Sequence, residues 1–118
     1  MYMVGITNDK VFQYSLSTAW DLSTASYDLV SFLVSGQDTA PLDIAFKSDG
    51  TKMYMVGNTN GKVFQYSLST AWSLSTASYD LVSFLVSAIS TSEVFSISSI
   101  LRISCPIVSL PSFILLAV

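Results

Sequence analysis

The chain repeats itself almost perfectly, and this repeat constrains its fold more than any other feature. Residues 1–35 and residues 53–87 are identical at 32 of 35 positions, at an offset of 52 residues. A tandem repeat of this length is typical of architectures in which each repeat is one supersecondary unit that buries its apolar surface against its neighbours. The three differences are Ile6/Asn58, Asp9/Gly61 and Asp21/Ser73.

One full period, residues 36–87, contains four runs of strand-forming residues separated by turn signals. β-Branched and aromatic side chains dominate these runs, and glycine-containing turns break any helical periodicity. Asp49-Gly50 predicts a tight turn with glycine at positive φ, and Asn60-Gly61 predicts a type I′ hairpin turn. We therefore predict an all-β fold in which each full period is a four-stranded antiparallel meander. The runs comprise residues 42–46, 52–56, 62–68 and 79–86.

The predicted strands are apolar on both faces. Met53 and Met55 alternate with Tyr54 and Val56, so each face of this strand carries apolar side chains. Such a strand is expected inside a stack of sheets rather than on a half-wet surface. Four short strands in a meander, with a partner needed on either side, are typical of a β-propeller blade.

A longer pattern carries a family resemblance. The stretch TAPLDIAFKSDGTKMYMVG, residues 39–57, has a Pro-led strand, a Ser-Asp-Gly turn and a strand ending in a small residue. It resembles the blade signature of YVTN-type and TolB-like propeller repeats, although Ser48 stands where those repeats often carry proline and Met55-Val56 replaces a valine-rich pair. The resemblance covers residues 1–87. It implies a ring of about seven blades, often secreted or surface-located and used for binding or as a scaffold, and for function it is a fold-level analogy.

The repeat divides the chain into three parts. We predict an incomplete blade at residues 1–35, a complete blade at residues 36–87 and a divergent apolar tail at residues 88–118. Met1 aligns with Met53, inside the second strand of the blade, so the first blade is expected to lack its innermost strand. The predicted fold class is thus a partial β-propeller of about two antiparallel meander blades plus the tail.

The tail departs abruptly from the repeat. Residues 94–118 are rich in Ile, Leu, Val, Phe and Ser, and Arg102 is their only charged residue. Three interpretations stay open: an out-of-frame or misassembled end, one or two extra strands docking on the exposed blade face, and a membrane segment. The uncharged stretch 103–118 has 16 residues, fewer than the roughly 20 of a spanning helix. Pro106 and Pro111 also disfavour a helix there.

Composition excludes several classes of function. The net charge of -3 gives no electrostatic attraction for phosphate backbones, so nucleic acid is not an expected partner. The chain has no histidine, which removes the commonest general base and neutral metal ligand. Cys105 is the single cysteine and is expected to be an inert small hydrophobe. We therefore predict no catalytic residue, no cofactor and no metal site.

Three residues are the candidates for ligand contact. Asp43 belongs to the first strand, which in propellers lines the central channel, although a role as a channel-mouth residue touching water or ions is the simpler interpretation. Trp20 and Trp72 would be aromatic platforms, but packing over a blade edge or a neighbouring blade explains them more simply. Asp28 and Asp80 recur at equivalent positions and are expected to satisfy nearby backbone donors.

Two uncovered apolar faces and open strand edges predict association. The expected partners are missing propeller blades or further copies of the chain, packed head to tail, with membrane contact only through residues 94–118. We predict a non-catalytic repeat fragment of a larger binding or structural scaffold protein, secreted or on the cell surface, with no signal peptide visible in the sequence. Two alternatives stay open: a fragment of a lactonase-like or quinoprotein-like propeller enzyme whose active site lies in missing blades, and a tail-anchored interaction module.

Overall fold

The computed structural model describes residues 1–86, which form two antiparallel sheets and contain no α-helix. The first sheet has three strands in the order β1-β2-β3, and the second has four in the order β4-β5-β6-β7. The prediction of an all-β fold is confirmed, and the expectations for residues 88–118 lie outside the described residues. The strands are β1 (Tyr2–Gly5), β2 (Lys10–Leu16), β3 (Ala25–Leu33), β4 (Pro41–Phe46), β5 (Lys52–Gly57), β6 (Lys62–Leu68) and β7 (Ala77–Leu85).

The turns follow from where the strands pair. Gly50 lies in the β4–β5 turn with a φ of 74°, as predicted, and its N–H donates to the carbonyl three residues earlier at 2.8 Å. The expected type I′ turn at Asn60-Gly61 is wrong, because only Gly61 of the two has a positive φ, at 58°. The pairing of Gly57 with Lys62 leaves four loop residues instead of two. Only the last of them therefore needs the left-handed conformation.

A β-bulge interrupts the pairing of the last strand in each sheet. The register of β2 with β3 shifts after Gln13, and that of β6 with β7 shifts after Gln65. Leu29 and Leu81 lie inside the bulges and both adopt a φ of 60°. Because the same bulge forms in both copies, the repeat encodes this local backbone geometry wherever it occurs.

The strand register defines two faces for each sheet. On β6, Phe64, Tyr66 and Leu68 lie on one face, which we call the front face, and Val63 and Gln65 lie on the other, which we call the back face. The equivalent residues of the first sheet, 52 positions earlier, are arranged in the same way. The two sheets pack with the back face of the first against the front face of the second.

Aromatic rings mediate much of the contact between the sheets. The ring of Phe32, on the first sheet, meets the ring of Tyr66 edge-on with 5.6 Å between centroids. The ring of Tyr2 lies 4.3 Å from that of Phe46. Most of the buried core residues lie on the front face of the second sheet. The buried core residues are Val11, Val34, Met53, Met55, Phe64, Tyr66, Leu68 and Leu74.

Candidate functional site

The three predicted ligand candidates occupy three separate places. Asp43 lies on β4, an edge strand of the second sheet, while Trp20 follows β2 and Trp72 follows β6. Asp43 is half-buried and pairs with Val56 in the strand register. Its carboxylate accepts a hydrogen bond from the N–H of Ile44 at 2.8 Å. This oxygen is thus engaged within its own strand.

Trp20 and Trp72 are equivalent residues with different surroundings. Both have a φ of 65°, but Trp20 is 99% exposed and Trp72 is 45% exposed. The Trp72 ring covers Gly50 so closely that a Cβ on this glycine would lie 2.5 Å from the ring atoms. The N–H of Trp72 also donates to the carbonyl of Gly50 at 3.0 Å. Among residues 1–86 the first sheet has no corresponding turn, so Trp20 has no such glycine to cover.

Asp80 organises a polar cluster on the back face of the second sheet. Its carboxylate accepts hydrogen bonds from Lys52 Nζ at 2.7 Å, Ser67 Oγ at 2.6 Å and Gln65 Nε2 at 2.7 Å. Burial alone would raise the pKa of Asp80, but these three donors outweigh it and hold the pKa at about 2. We expected local backbone donors from the sequence. The donors are side chains instead, because strand pairing brings polar residues of β5, β6 and β7 to one face.

The first sheet has a similar cluster in which no lysine takes part. A hydrogen bond from Ser15 is the main cause that lowers the pKa of Asp28. Gln13 Nε2 donates to the Asp28 carboxylate at 3.0 Å, and its Oε1 accepts from the N–H of Leu74 at 3.0 Å. This glutamine therefore links the cluster to the second sheet.

An open cleft of about 800 Å³ lies beside the Asp28 cluster. Trp20, Leu22 and Met1 line it together with Asp28. The cleft thus combines a carboxylate, an exposed indole ring and apolar side chains. This combination suits a basic side chain carried on an apolar segment.

Asp38 is a buried charge that the sequence analysis missed. It is 1% exposed, and its carboxylate accepts hydrogen bonds from the N–H groups of Ala40 at 2.8 Å, Thr59 at 3.2 Å and Asn60 at 2.8 Å. A Cβ on Gly57 would lie 2.2 Å from the Asp38 carboxyl carbon, so this site requires glycine. The bond to Ala40 is a local turn that a sequence can signal. The N–H groups of Thr59 and Asn60 lie on a loop that is distant along the chain, and the sequence does not signal these two bonds.

Equivalent residues on the two sheets differ sharply in exposure. Met3, on the front face of the first sheet, is 46% exposed, whereas its equivalent Met55 is fully buried. Phe84, on the back face of the second sheet, is 72% exposed, whereas its equivalent Phe32 packs against the core. Within residues 1–86, one copy of each of the two faces that pack together internally is therefore left uncovered.

No metal-binding cluster accompanies these surfaces in the described part of the chain. Residues 1–86 hold no cluster of three or more side chains suited to a metal ion. Within the same range, no helix has the length and apolar character needed to cross a membrane. Comparison of the chain with protein-family models, with curated proteins and with solved structures finds no match.

Proposed function

We propose that the chain is a non-catalytic repeat module of β-propeller type that belongs to a larger binding or structural scaffold. Its role is to stack: the front face of one unit covers the back face of the next. The partners are neighbouring repeat units or further copies of the chain. Function then resides in the assembled surface and not in a reactive site within the module.

The observation that carries this proposal is the difference in burial between identical residues. The internal contact joins a back face containing Phe32 to a front face containing Met55 and Tyr66. The open front face of the first sheet carries Met3, the equivalent of Met55. The open back face of the second sheet carries Phe84, the equivalent of Phe32. A second copy can therefore repeat the internal contact on either side. Since one surface meets a different surface, the contact is head to tail and can continue.

Stacking is favourable because each open face holds several large apolar side chains. Full burial of an exposed Met or Phe side chain contributes about 1.5–3 kcal/mol. Met3 and Phe84 are 46% and 72% exposed, so covering each contributes a part of that amount. Apolar faces of this kind on a single molecule promote association. Nothing comparable favours a catalytic role, since the chain has no histidine.

The experiment blocks one face at a time. Phe84→Glu closes the back face of the second sheet, and Met3→Glu closes the front face of the first. We expect the unmodified chain to elute in size-exclusion chromatography with light scattering as species larger than 12.8 kDa. Each variant alone should be a monomer. An equimolar mixture should form a one-to-one dimer, because Phe84→Glu keeps the front face of the first sheet and Met3→Glu keeps the back face of the second.

Ile6→Asn is the matched control, since it changes an exposed residue to the one that the second copy carries. This control should associate like the unmodified chain. Circular dichroism establishes that each variant keeps its sheets. Folded single variants that still associate, or a mixture that stays monomeric, would show that these faces do not stack head to tail.

A further inference from the structure

In the part of the chain that the structure describes, the outer edge of β1 is unpaired, whereas the same edge in the second sheet is occupied. Among residues 1–86, β1 pairs with β2 alone, but its equivalent β5 pairs with β6 on one side and β4 on the other. Residues 2–5 and residues 54–57 are identical. Unpaired edge strands present N–H and C=O groups that can bind an extended peptide. We propose that the β1 edge binds an extended segment with the sequence features of residues 38–52, in the register in which β4 binds β5.

The first anchor is the strand itself. On β5, the β4 residues Ile44 and Phe46 pair with Met55 and Met53. The equivalents of these two methionines on β1 are Met3 and Met1, which are both 46% exposed. An incoming strand in the same register would cover Met3 and Met1 with apolar side chains. Main-chain hydrogen bonds along the edge provide affinity, and the alternating side chains provide specificity.

The second anchor is Trp20. In the second sheet the equivalent ring covers Gly50, and the space between them has no room for a Cβ. A bound segment with a glycine at the position of Gly50 would bring its turn under the Trp20 ring. The 99% exposure of Trp20 would then fall toward the 45% exposure of Trp72.

The third anchor is the carboxylate of Asp28. The equivalent Asp80 accepts a hydrogen bond from Lys52 Nζ at 2.7 Å, and this ammonium also donates to Ser67 Oγ at 2.7 Å. Ser15 and Asp28 occupy the same positions in the first sheet, beside the open cleft. A lysine at the end of the bound segment would enter this cleft and form the equivalent ion pair.

The fourth anchor is the loop after β1. In the second sheet the Asp38 carboxylate accepts from Thr59 N–H and Asn60 N–H above Gly57. The first sheet carries the same three residue types at Gly5, Thr7 and Asn8. An aspartate three residues before the proline of the bound segment would therefore meet the N–H groups of Thr7 and Asn8 and a glycine that leaves room for it. A ligand for this site must therefore carry an aspartate, an apolar strand, a glycine and a lysine at the spacing of residues 38–52.

The test uses an amidated synthetic peptide of residues 37–52, which contains no tryptophan. It is titrated into the full chain carrying Phe84→Glu, whose β1 edge is intact. We expect a saturable blue shift of tryptophan fluorescence that Trp20→Phe abolishes. Hydrogen exchange should slow across residues 1–9 and stay unchanged across residues 53–61, the near-identical internal control. The exchange measurement is repeated on the unmodified chain, so that it does not depend on one variant.

Control peptides separate this site from general apolar adhesion. Gly50→Ala places a methyl group against the Trp20 ring, and Lys52→Met removes the ammonium that Asp28 would bind. Each change should weaken binding roughly tenfold, which is about 1.4 kcal/mol at 25 °C. Equal affinity of the Gly50→Ala peptide, or no protection of residues 1–9 at saturating peptide, would overturn the proposal. Because peptide binding is measured in Phe84→Glu, in which stacking is blocked, either result leaves the size measurements with Phe84→Glu and Met3→Glu to be judged separately.

Discussion

Replacing Gly57 with alanine forces a conflict between a new methyl group and the buried carboxylate of Asp38. The added Cβ would lie 2.2 Å from Cγ, 2.3 Å from Oδ2 and 2.4 Å from Cβ of Asp38. Unbonded carbon atoms pack at about 3.5–4.0 Å. The backbone of Gly57 is not in the left-handed region, so the expected damage comes from this clash. Asp38 must move out of its site.

The cost follows from the hydrogen bonds that Asp38 makes. Moving it breaks three bonds, to the N–H groups of Ala40, Thr59 and Asn60. A hydrogen bond to a charged group contributes about 1.5–3 kcal/mol, and water replaces part of what is lost. We expect the free energy of unfolding to fall by about 3–5 kcal/mol, a large share of the roughly 5–15 kcal/mol of an ordinary domain.

Gly5→Ala is the matched control within the same chain. The nearest atom to a Cβ on Gly5 is Phe12 Cε2 at 3.3 Å, the end of a ring that can shift. Alanine also has fewer unfolded conformations than glycine, so the net change should stay below about 1 kcal/mol. Urea denaturation followed by circular dichroism measures both variants at one fixed protein concentration, because association adds to apparent stability.

A double variant tests the cause directly. Asp38→Gly removes the whole side chain that the new methyl would strike, including the Cβ at 2.4 Å, so Gly57→Ala should cost at least about 1–2 kcal/mol less in that background. Equal losses for Gly57→Ala and Gly5→Ala would refute the steric argument. Strict additivity of Gly57→Ala with Asp38→Gly would refute it as well.

Two further predictions concern charges. The folded state holds the pKa of Asp80 at about 2, against a usual 3.8. This carboxylate therefore stabilises the fold fully above about pH 4, and the stabilisation is lost as the pH falls through about 2. Thermal denaturation should show Tm falling over that range, and Asp80→Asn should make the fall shallower; an unchanged slope would contradict this origin. Asp9 has a φ of 50° and a buried Oδ1 with no hydrogen-bond partner among residues 1–86, whereas its equivalent Gly61 has a φ of 58°. Asp9→Gly should therefore raise the free energy of unfolding by about 1–2 kcal/mol in urea denaturation, and a loss of stability would show that Asp9 is held by contacts of its own.

Local features of the fold were predictable from the sequence to different degrees. The strands of the full period and the positive φ of Gly50 follow from alternation and turn chemistry, which act over a few residues. The loop at Asn60-Gly61 was mispredicted, because its length is set by the pairing of Gly57 with Lys62. Apart from Ala40, which lies two residues from Asp38, the partners of Asp38 and Asp80 were not predictable, since those donors lie 13 to 28 residues away along the chain.

Near-identity of the two copies separates what sequence determines from what tertiary structure decides. Residues 1–35 and 53–87 differ at only three positions, and they form the same strands with the same bulge. Yet Met3 is exposed where Met55 is buried, and Trp20 is exposed where Trp72 covers a glycine. Backbone conformation depends on neighbours along the chain, which the copies share. Burial depends on what lies against each face and edge. The packing of the two sheets supplies this for the methionines, and the β4–β5 turn, which only the second sheet has within residues 1–86, supplies it for Trp72.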